Sequence, residues 1–456
     1  MKRFTMTRAR LDGLYLLLLG CAAFLLLGFA FEHTSSVPMI DFKAVYYPAR
    51  CLMQHCDPYS ESEVLRIYRA GAVAPPLDAD RVRQAATRYL YLPSAFCFTV
   101  PFAMLPWGPA HILWMAVIVG SIILASFLVW DLGADYSPVS SGFLAGIFLA
   151  NSEVLIVLGN TAAIAVSLCV IAVWCFLRER FIWAGIFCLA FSVAIKPQDA
   201  GLVWLYLLLA GGIYRKRALQ TLSATVALGL PMVLWVWRVA PHWMQEWRSN
   251  VSAFSAHGGM NDPGPASTGG HGLGMLVNLQ AVVSVFRDDP RIYNPVTYIV
   301  CAVLLLILGI ATLRTRPSPR KMRLALGAIA ALSMLPVYHH LYDAKLLLLT
   351  IPACAMLWAE GGATAWLAVL VNGAALVLTG DLPWAVLLGF IGHMRPPTTA
   401  LGTQILIAVQ VFPAPLILLV TGVFYLWVYV RACRDHASRL PLESMARMRE
   451  ASAEGL

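Results

Sequence analysis

The sequence predicts an all-α, polytopic membrane protein with about twelve transmembrane helices, and three observations predict it. Of its 456 residues 59% are hydrophobic and 12% charged, with a mean hydropathy of +0.72; soluble classes fit such a composition poorly. The apolar residues fall in long runs, and about 20 of them suffice to cross a bilayer. The Lys and Arg residues concentrate in short stretches between those runs.

The first run, LDGLYLLLLGCAAFLLLGFAF at residues 11–31, follows Lys2, Arg3, Arg8 and Arg10. A cleavable signal has a shorter apolar core and a small-residue cleavage site, so this run reads as an uncleaved first helix. Further spans are expected near 91–106, 109–130, 162–177, 181–195, 199–213, 218–237, 293–313, 324–337, 344–358, 364–380 and 402–430. Residues 142–159 and 381–400 are apolar but interrupted by Asn, Gly, Pro or Asp, and are expected to dip into the membrane without crossing. The whole chain, 1–456, reads as one membrane domain with a tail at 431–456.

Orientation follows from the positive-inside rule. Arg178, Arg180, Arg215, Lys216, Arg217, the cluster Arg314 to Arg323, the amino-terminal four and five more from Arg431 onward make 19 of the 33 basic residues on one side. That side is expected to be the cytoplasm, with both termini there, in a plasma (inner) membrane. The net charge of +9 is then a topology signal, and no nucleic-acid partner is expected. No GxxxxGK[ST], HExxH or paired CxxC occurs, which speaks against an ATP-driven pump and a zinc site; neither cofactor nor metal is expected. Two long polar segments, 32–90 after the first span and 239–292 after the seventh, fall on the outer side, where long loops are often functional. Most of the ten cysteines lie in apolar spans. Cys51 and Cys56 share the first outer loop, where a disulfide is permitted but not dictated by spacing.

The ionisable residues near that face carry the chemistry. Asp41 reads either as a helix cap, a role open to Ser35 or Ser36 as well, or as a general base able to take a proton from an incoming hydroxyl. Lys196, in VAIKPQDAG, lies where Lys-Pro ends one helix and starts the next. It either snorkels to the head groups or offers a point charge to a phosphate. His339, His340, Asp343 and Lys345, in PVYHHLYDAKLLLL, form the densest polar cluster between two apolar runs. Adjacent histidines point about 100° apart on a helix, so binding of phosphate or sugar suits them better than a metal. The stretch HGGMNDPGPASTGGHGLG, residues 257–274, holds seven glycines and reads as a flexible linker or as a lid over substrate; His257, Asp262 and His271 are its candidate ligand contacts. Tyr91, in RYLYLPSAF, fits an interfacial aromatic belt or a surface that stacks on sugar rings or lipid chains, as do Trp243 and Trp247.

Together the motifs DFKAVYYPARCLMQHCDPY, YLYLPSAFCFTVPFAMLP, VLGNTAAI, AIKPQDAGLVWLYLLL and PVYHHLYDAKLLLL, in that order and spacing, resemble a membrane glycosyltransferase of the GT-C class, most closely glycosyltransferase family 87. The resemblance runs from Asp41 to the last span. It implies an all-helical membrane fold with an active site at the extracytoplasmic face, a polyprenyl-phosphate sugar donor, mannose as the favoured sugar with arabinose or another pentose still open, and a lipid or glycan acceptor. It further implies Asp41 as catalytic base and Lys196, His339 and His340 as contacts to the donor phosphate; Asp343, Asn160 and Tyr91 are further candidates for binding the donor phosphate or sugar. Asn160 stands where many relatives have Gln, and HHLYDAK replaces a commoner Trp-containing motif. Two other functions stay open at this point: a transporter or lipid flippase using the same residues as an ion relay, and a structural partner in an envelope complex.

Overall fold

A computed structural model describes residues 7–71, 80–264, 266–267, 276–381 and 401–453. The architecture is all-helical; among the described residues the one β feature is an isolated bridge between Leu276 and His340. Helix α1 (Arg8–Thr34) starts behind Thr7, whose hydroxyl accepts the Arg10 N–H, a common way to satisfy a first-turn donor. The expected loop 32–90 is largely helix: α2 (Ile40–Met53), α3 (Glu61–Ala70) and α4 (Asp80–Thr87). In α3 the buried residues are Val64, Ile67 and Tyr68, the i, i+3, i+4 stripe of a helix lying on a surface. Cys51 and Cys56 are joined as a disulfide at the end of α2, settling a pairing that spacing had left open.

Next come α5 (Phe96–Ala103), α6 (Trp107–Ala134), α7 (Pro138–Ala150), α8 (Val154–Leu158), α9 (Thr161–Arg178), α10 (Ile182–Ile195), α11 (Pro197–Ala210) and α12 (Gly212–Val239). The second long segment contributes α13 (Trp243–Ser255) and α14 (Leu279–Phe286). It is followed by α15 (Pro290–Leu313) and α16 (Pro319–Leu332). A 3₁₀ stretch, Leu341–Thr350, runs directly into α17 (Ile351–Glu360), ahead of α18 (Gly362–Leu378), α19 (Leu401–Val411) and α20 (Pro413–Ala453). Proline opens α7, α11, α15 and α16, where its preset φ helps and its missing N–H is not needed. The span expected at 402–430 divides at Pro413. Of 381–400, all but Asp381 lies outside the described residues.

Among the described residues seven helical runs are long and apolar enough to cross a membrane: α1, α6, α9, α12, α15, Leu341–Glu360 and Pro413–Arg434. Shorter apolar helices accompany them at Pro93–Ala103, α7, α10 and α18. This is a multi-pass membrane protein. Its centre is α16, the 3₁₀ stretch and α17, where Leu324 to Leu332 and Leu346 to Leu349 are all buried. Helices α1, α12 and α15 lie outside, and Leu19, Leu26, Leu230, Leu234, Ile299 and Leu306 are exposed on them, as residues facing lipid are.

The bundle has two chemically different ends. At one, Arg10 pairs with Asp135, Arg178 with Asp131 and Asp135, and Arg323 lies over the Tyr136 ring. These arginines belong to the set assigned to one side by sequence. At the other end lie Asp41 and Asn160. Helix α9, capped by Asn160, runs from Thr161 to Arg178 with 18 residues, so it holds the two ends about 27 Å apart.

Helix α1 lies along α7, and small residues allow it. A Cβ on Gly20 would collide with the Gly146 backbone, one on Gly142 with Gly13, and one on Gly146 would stand 2.6 Å from the Leu16 carbonyl oxygen. Gly142 and Gly146 form a G-x-x-x-G pair, a pattern that lets helix backbones touch in apolar surroundings. We expect Gly146→Leu to cost about 1–3 kcal/mol or more through overpacking and to lower the thermal midpoint in detergent. Gly120→Leu, where a Cβ meets nothing within 4 Å, should leave it unchanged; equal midpoints for the two variants would refute the close approach.

Candidate active site

Two backbone features bring Asp41 and Asn160 together. Gly159 ends α8 in the left-handed region, at φ +67°, and a Cβ there would strike the Met39 sulfur. Met39, itself at φ 55°, is an uncommon conformation for a residue with a side chain. It is held by its N–H to the Val157 carbonyl, 2.8 Å, and the Gly159 carbonyl accepts the Trp114 indole N–H at 2.9 Å. With residues 39 and 159 locked side by side, positions 41 and 160 face each other.

Asn160 uses both ends of its amide. Its Oδ1 accepts the Ala162 N–H at 2.7 Å, capping α9, and its Nδ2 donates to Asp41 Oδ2 at 2.7 Å. Asp41 is therefore not a helix cap: the residue before α2 is Met39, with no side-chain cap, and the Asp41 carboxylate looks across to α9. Next door, Thr161 donates to the Tyr91 hydroxyl at 2.8 Å.

The Lys-Pro motif does break the chain between α10 and α11, with Lys196 at the junction. Its side chain does not snorkel outward. Lys196 is buried, its ammonium pairs with Asp343 Oδ1, and Asp199 Oδ2 lies 3.7 Å away. The other Asp343 oxygen accepts the His340 N–H at 2.8 Å, so this carboxylate opens the 3₁₀ stretch and binds the lysine at once. His339 is fully buried, with Nδ1 3.1 Å from the Val337 carbonyl oxygen and Nε2 3.4 Å from Asp199 Oδ1. Two acceptors flank its two nitrogens, an arrangement that suits an imidazolium. The histidine pair thus divides: the His340 ring lies 4.9 Å from each of the Tyr338 and Tyr342 rings, and Tyr342 also lies under the Lys196 ammonium, at 5.3 Å.

Position 339 is fixed from a distance. The Val277 N–H donates to the His339 carbonyl at 3.0 Å, and Leu279 N–H to the Leu335 carbonyl at 3.0 Å. The Gln280 amide donates to the Pro336 carbonyl at 2.9 Å. The end of the Gly-rich segment is thus a clamp on the His-His motif. Earlier in that segment His257 lies 3.2 Å from Asp262, apart from this cluster, and His271 lies outside the described residues.

The charges are coupled. Burial raises the Asp41 pKa to about 6, although the Asn160 hydrogen bond and the Lys196 charge pull it down; part of Asp41 remains exposed. Burial by itself lowers the pKa of Lys196 and His339, yet both are raised: the partnership with Asp199 and Asp343 outweighs the desolvation. The two acids differ: despite its burial, the Lys196 and His339 charges hold Asp343 below its ordinary carboxylate range, while burial pushes Asp199 above it. Asp41 stands beside them as the acid left near neutrality, within the field of Lys196 and Asp343.

Sequence reading named Asp41, Tyr91, Asn160, Lys196, His339, His340 and Asp343, and all of them gather at this end of the bundle. It missed Asp199, three residues past Lys196 on the first turn of α11, and Thr161, Tyr338 and Tyr342. The Lys-x-x-Asp spacing was the available signal for Asp199, since residues three apart share a helix face. Lys345, counted in the same cluster, points elsewhere, to Asp381 at 3.3 Å and the Asn151 carbonyl at 2.6 Å.

The family model for glycosyltransferase family 87 matches residues 89–337, more than half of the chain. No curated protein and no solved structure matches it.

Removing one partner of a buried ion pair leaves the other charge uncompensated, at about 3–5 kcal/mol. Lys196→Met should therefore lower the thermal midpoint markedly, and adding Asp343→Asn should restore most of the loss. Additive destabilisation in the double variant would show that the two side chains do not compensate each other.

Proposed function

The chain belongs to glycosyltransferase family 87, and from that premise we propose that it moves a sugar from a polyprenyl-phosphate donor to a hydroxyl of a lipid or glycan acceptor. Mannose is the sugar that the resemblance favours, and the extracytoplasmic face is the proposed site of transfer. The observation that carries the mechanism is the Asn160 to Asp41 hydrogen bond, 2.7 Å, beside the Lys196 cluster. It fixes a partly exposed carboxylate within the field of Lys196 and Asp343.

Asp41 is the general base. The acceptor oxygen bonds to the anomeric carbon as the bond from that carbon to the donor phosphate oxygen breaks. The hydroxyl proton passes to Asp41, and polyprenyl phosphate leaves. One displacement inverts the anomeric configuration and needs one base, not the carboxylate pair of glycoside hydrolases. A carboxyl with a pKa of about 6 is ionised at neutral pH yet basic enough to accept that proton. Lys196 and His339 meet the negative charge that grows on the leaving phosphate. Both already hold carboxylates, so the phosphate shares their N–H groups with Asp343 and Asp199. The family membership argues against an ion relay, the rival function for the same residues.

Purified enzyme supplied with a panel of radiolabelled polyprenyl-phosphate sugars tests this. Asp41→Asn should cut transfer by roughly 10²–10⁴-fold while the donor still binds. For the parent enzyme, kcat/KM should climb as pH rises through about 6 and level off above it. In Asn160→Ala the limb should move to higher pH, because the lost hydrogen bond favoured the ionised form. A raised carboxyl pKa also works against folding as pH climbs from the unfolded value toward 6, so Asp41→Asn should unfold no earlier than the parent at pH 7.5. Undiminished transfer by Asp41→Asn would remove the base from its role.

A further inference from the structure

Lys43 has no part in the chemistry above. It is 1% exposed and follows Asp41 by two residues on α2, so it points about 200° around the helix from the proposed base. Among the described residues no carboxylate pairs with its ammonium and no acceptor hydrogen-bonds it. Its nearest recorded partner is the Trp107 ring, 5.7 Å to the centroid. An ammonium at the end of a buried side chain, with no counter-charge beside it, is costly, and the burial lowers its proton affinity. Around it stand Tyr46, Tyr47 and Arg50, completing an i, i+3, i+4, i+7 face of α2. Arg50 donates to the Tyr46 hydroxyl at 2.8 Å and to the Leu105 carbonyl at 3.4 Å, and it forms no ion pair among the described residues. The His111 ring lies 5.7 Å from that of Trp107. Glu32 lies 3.5 Å from His111 Nε2.

A second observation points the same way. Helix α6 opens at Trp107 with no side-chain cap, and the N–H groups of Trp107 and Gly108 meet no acceptor among the described residues. The positive end of a 28-residue helix therefore opens beside the lone ammonium, a setting that favours an anion. Met104, Ile112 and Leu113, at 68%, 72% and 45% exposure, flank it with apolar surface of the kind that faces lipid tails. Trp107 is partly exposed and sits where interfacial aromatic residues sit.

We propose that Lys43, Trp107, His111 and the amino terminus of α6 form a second anion subsite, separate from the Lys196 cluster, that takes the phosphate of a membrane lipid. The source of that phosphate is either a bilayer phospholipid or a polyprenyl phosphate. The subsite rests on the Lys43 face alone and does not require Asp41 to be the base.

Native mass spectrometry of the full chain, titrated in detergent with phosphatidylglycerol, polyprenyl phosphate or diacylglycerol, tests it. Lys43→Met should weaken at least one of the two phosphate lipids roughly tenfold, the loss of one charged hydrogen bond, with diacylglycerol unchanged and Lys43→Arg close to the parent. Loss confined to phosphatidylglycerol identifies a bilayer phospholipid as the source; loss confined to polyprenyl phosphate identifies the other. Should Lys43→Met fail to fold, Lys43→Gln, which keeps a polar end without the charge, replaces it with the same expected loss. Unchanged binding of both phosphate lipids by a folded Lys43→Met or Lys43→Gln overturns the subsite.

Discussion

Lys196 is an ammonium buried in protein, and a charge taken out of water needs compensation within its own surroundings. Here that compensation comes from two carboxylates far apart in sequence, Asp199 on α11 and Asp343 at the start of the 3₁₀ stretch. Asp199 in turn needs His339. One electrostatic demand thus ties the α10–α11 junction to the segment between α16 and α17. The same demand explains why Asp343 has an oxygen on the His340 N–H: the carboxylate must hold its angle for the lysine to be satisfied.

Asp41 is set against this balanced group and not inside it. Among the described residues its hydrogen bond comes from Asn160, a neutral donor, so its charge is only partly offset. That leaves a carboxyl raised by burial to about 6, which is a poor arrangement for stability and a good one for a base. The fold supports the arrangement with backbone, through Met39 and Gly159 in left-handed conformations, where side-chain pairing would have quenched the charge.

How far these features were legible in the sequence depends on their range. Composition and long apolar runs placed the helices, since the bilayer demands apolar length whatever the packing. The Lys196 junction was legible because proline acts locally on the backbone. Asp41 was read both as a cap and as a base, and no local rule chooses between them: the choice depends on Asn160, 119 residues away. The segment 32–90 looked like a loop because α3 and α4 are amphipathic and polar overall, and their apolar stripes are only three residues wide. Asp199 was passed over because one acid in a first turn looks like an ordinary dipole partner. The division of the His pair required coordinates, since 3₁₀ geometry and the clamp from Val277 decide where each ring points.

The most direct test is an experimental structure of the enzyme with an unreactive polyprenyl-phosphonate sugar bound. The phosphonate should lie within about 3–4 Å of Lys196 Nζ or the His339 ring, with the anomeric carbon turned toward Asp41. A phosphonate bound away from Lys196 and His339, or a sugar with Asp41 on the far side of the protein from it, would contradict the shared pocket on which base and leaving-group contacts both depend.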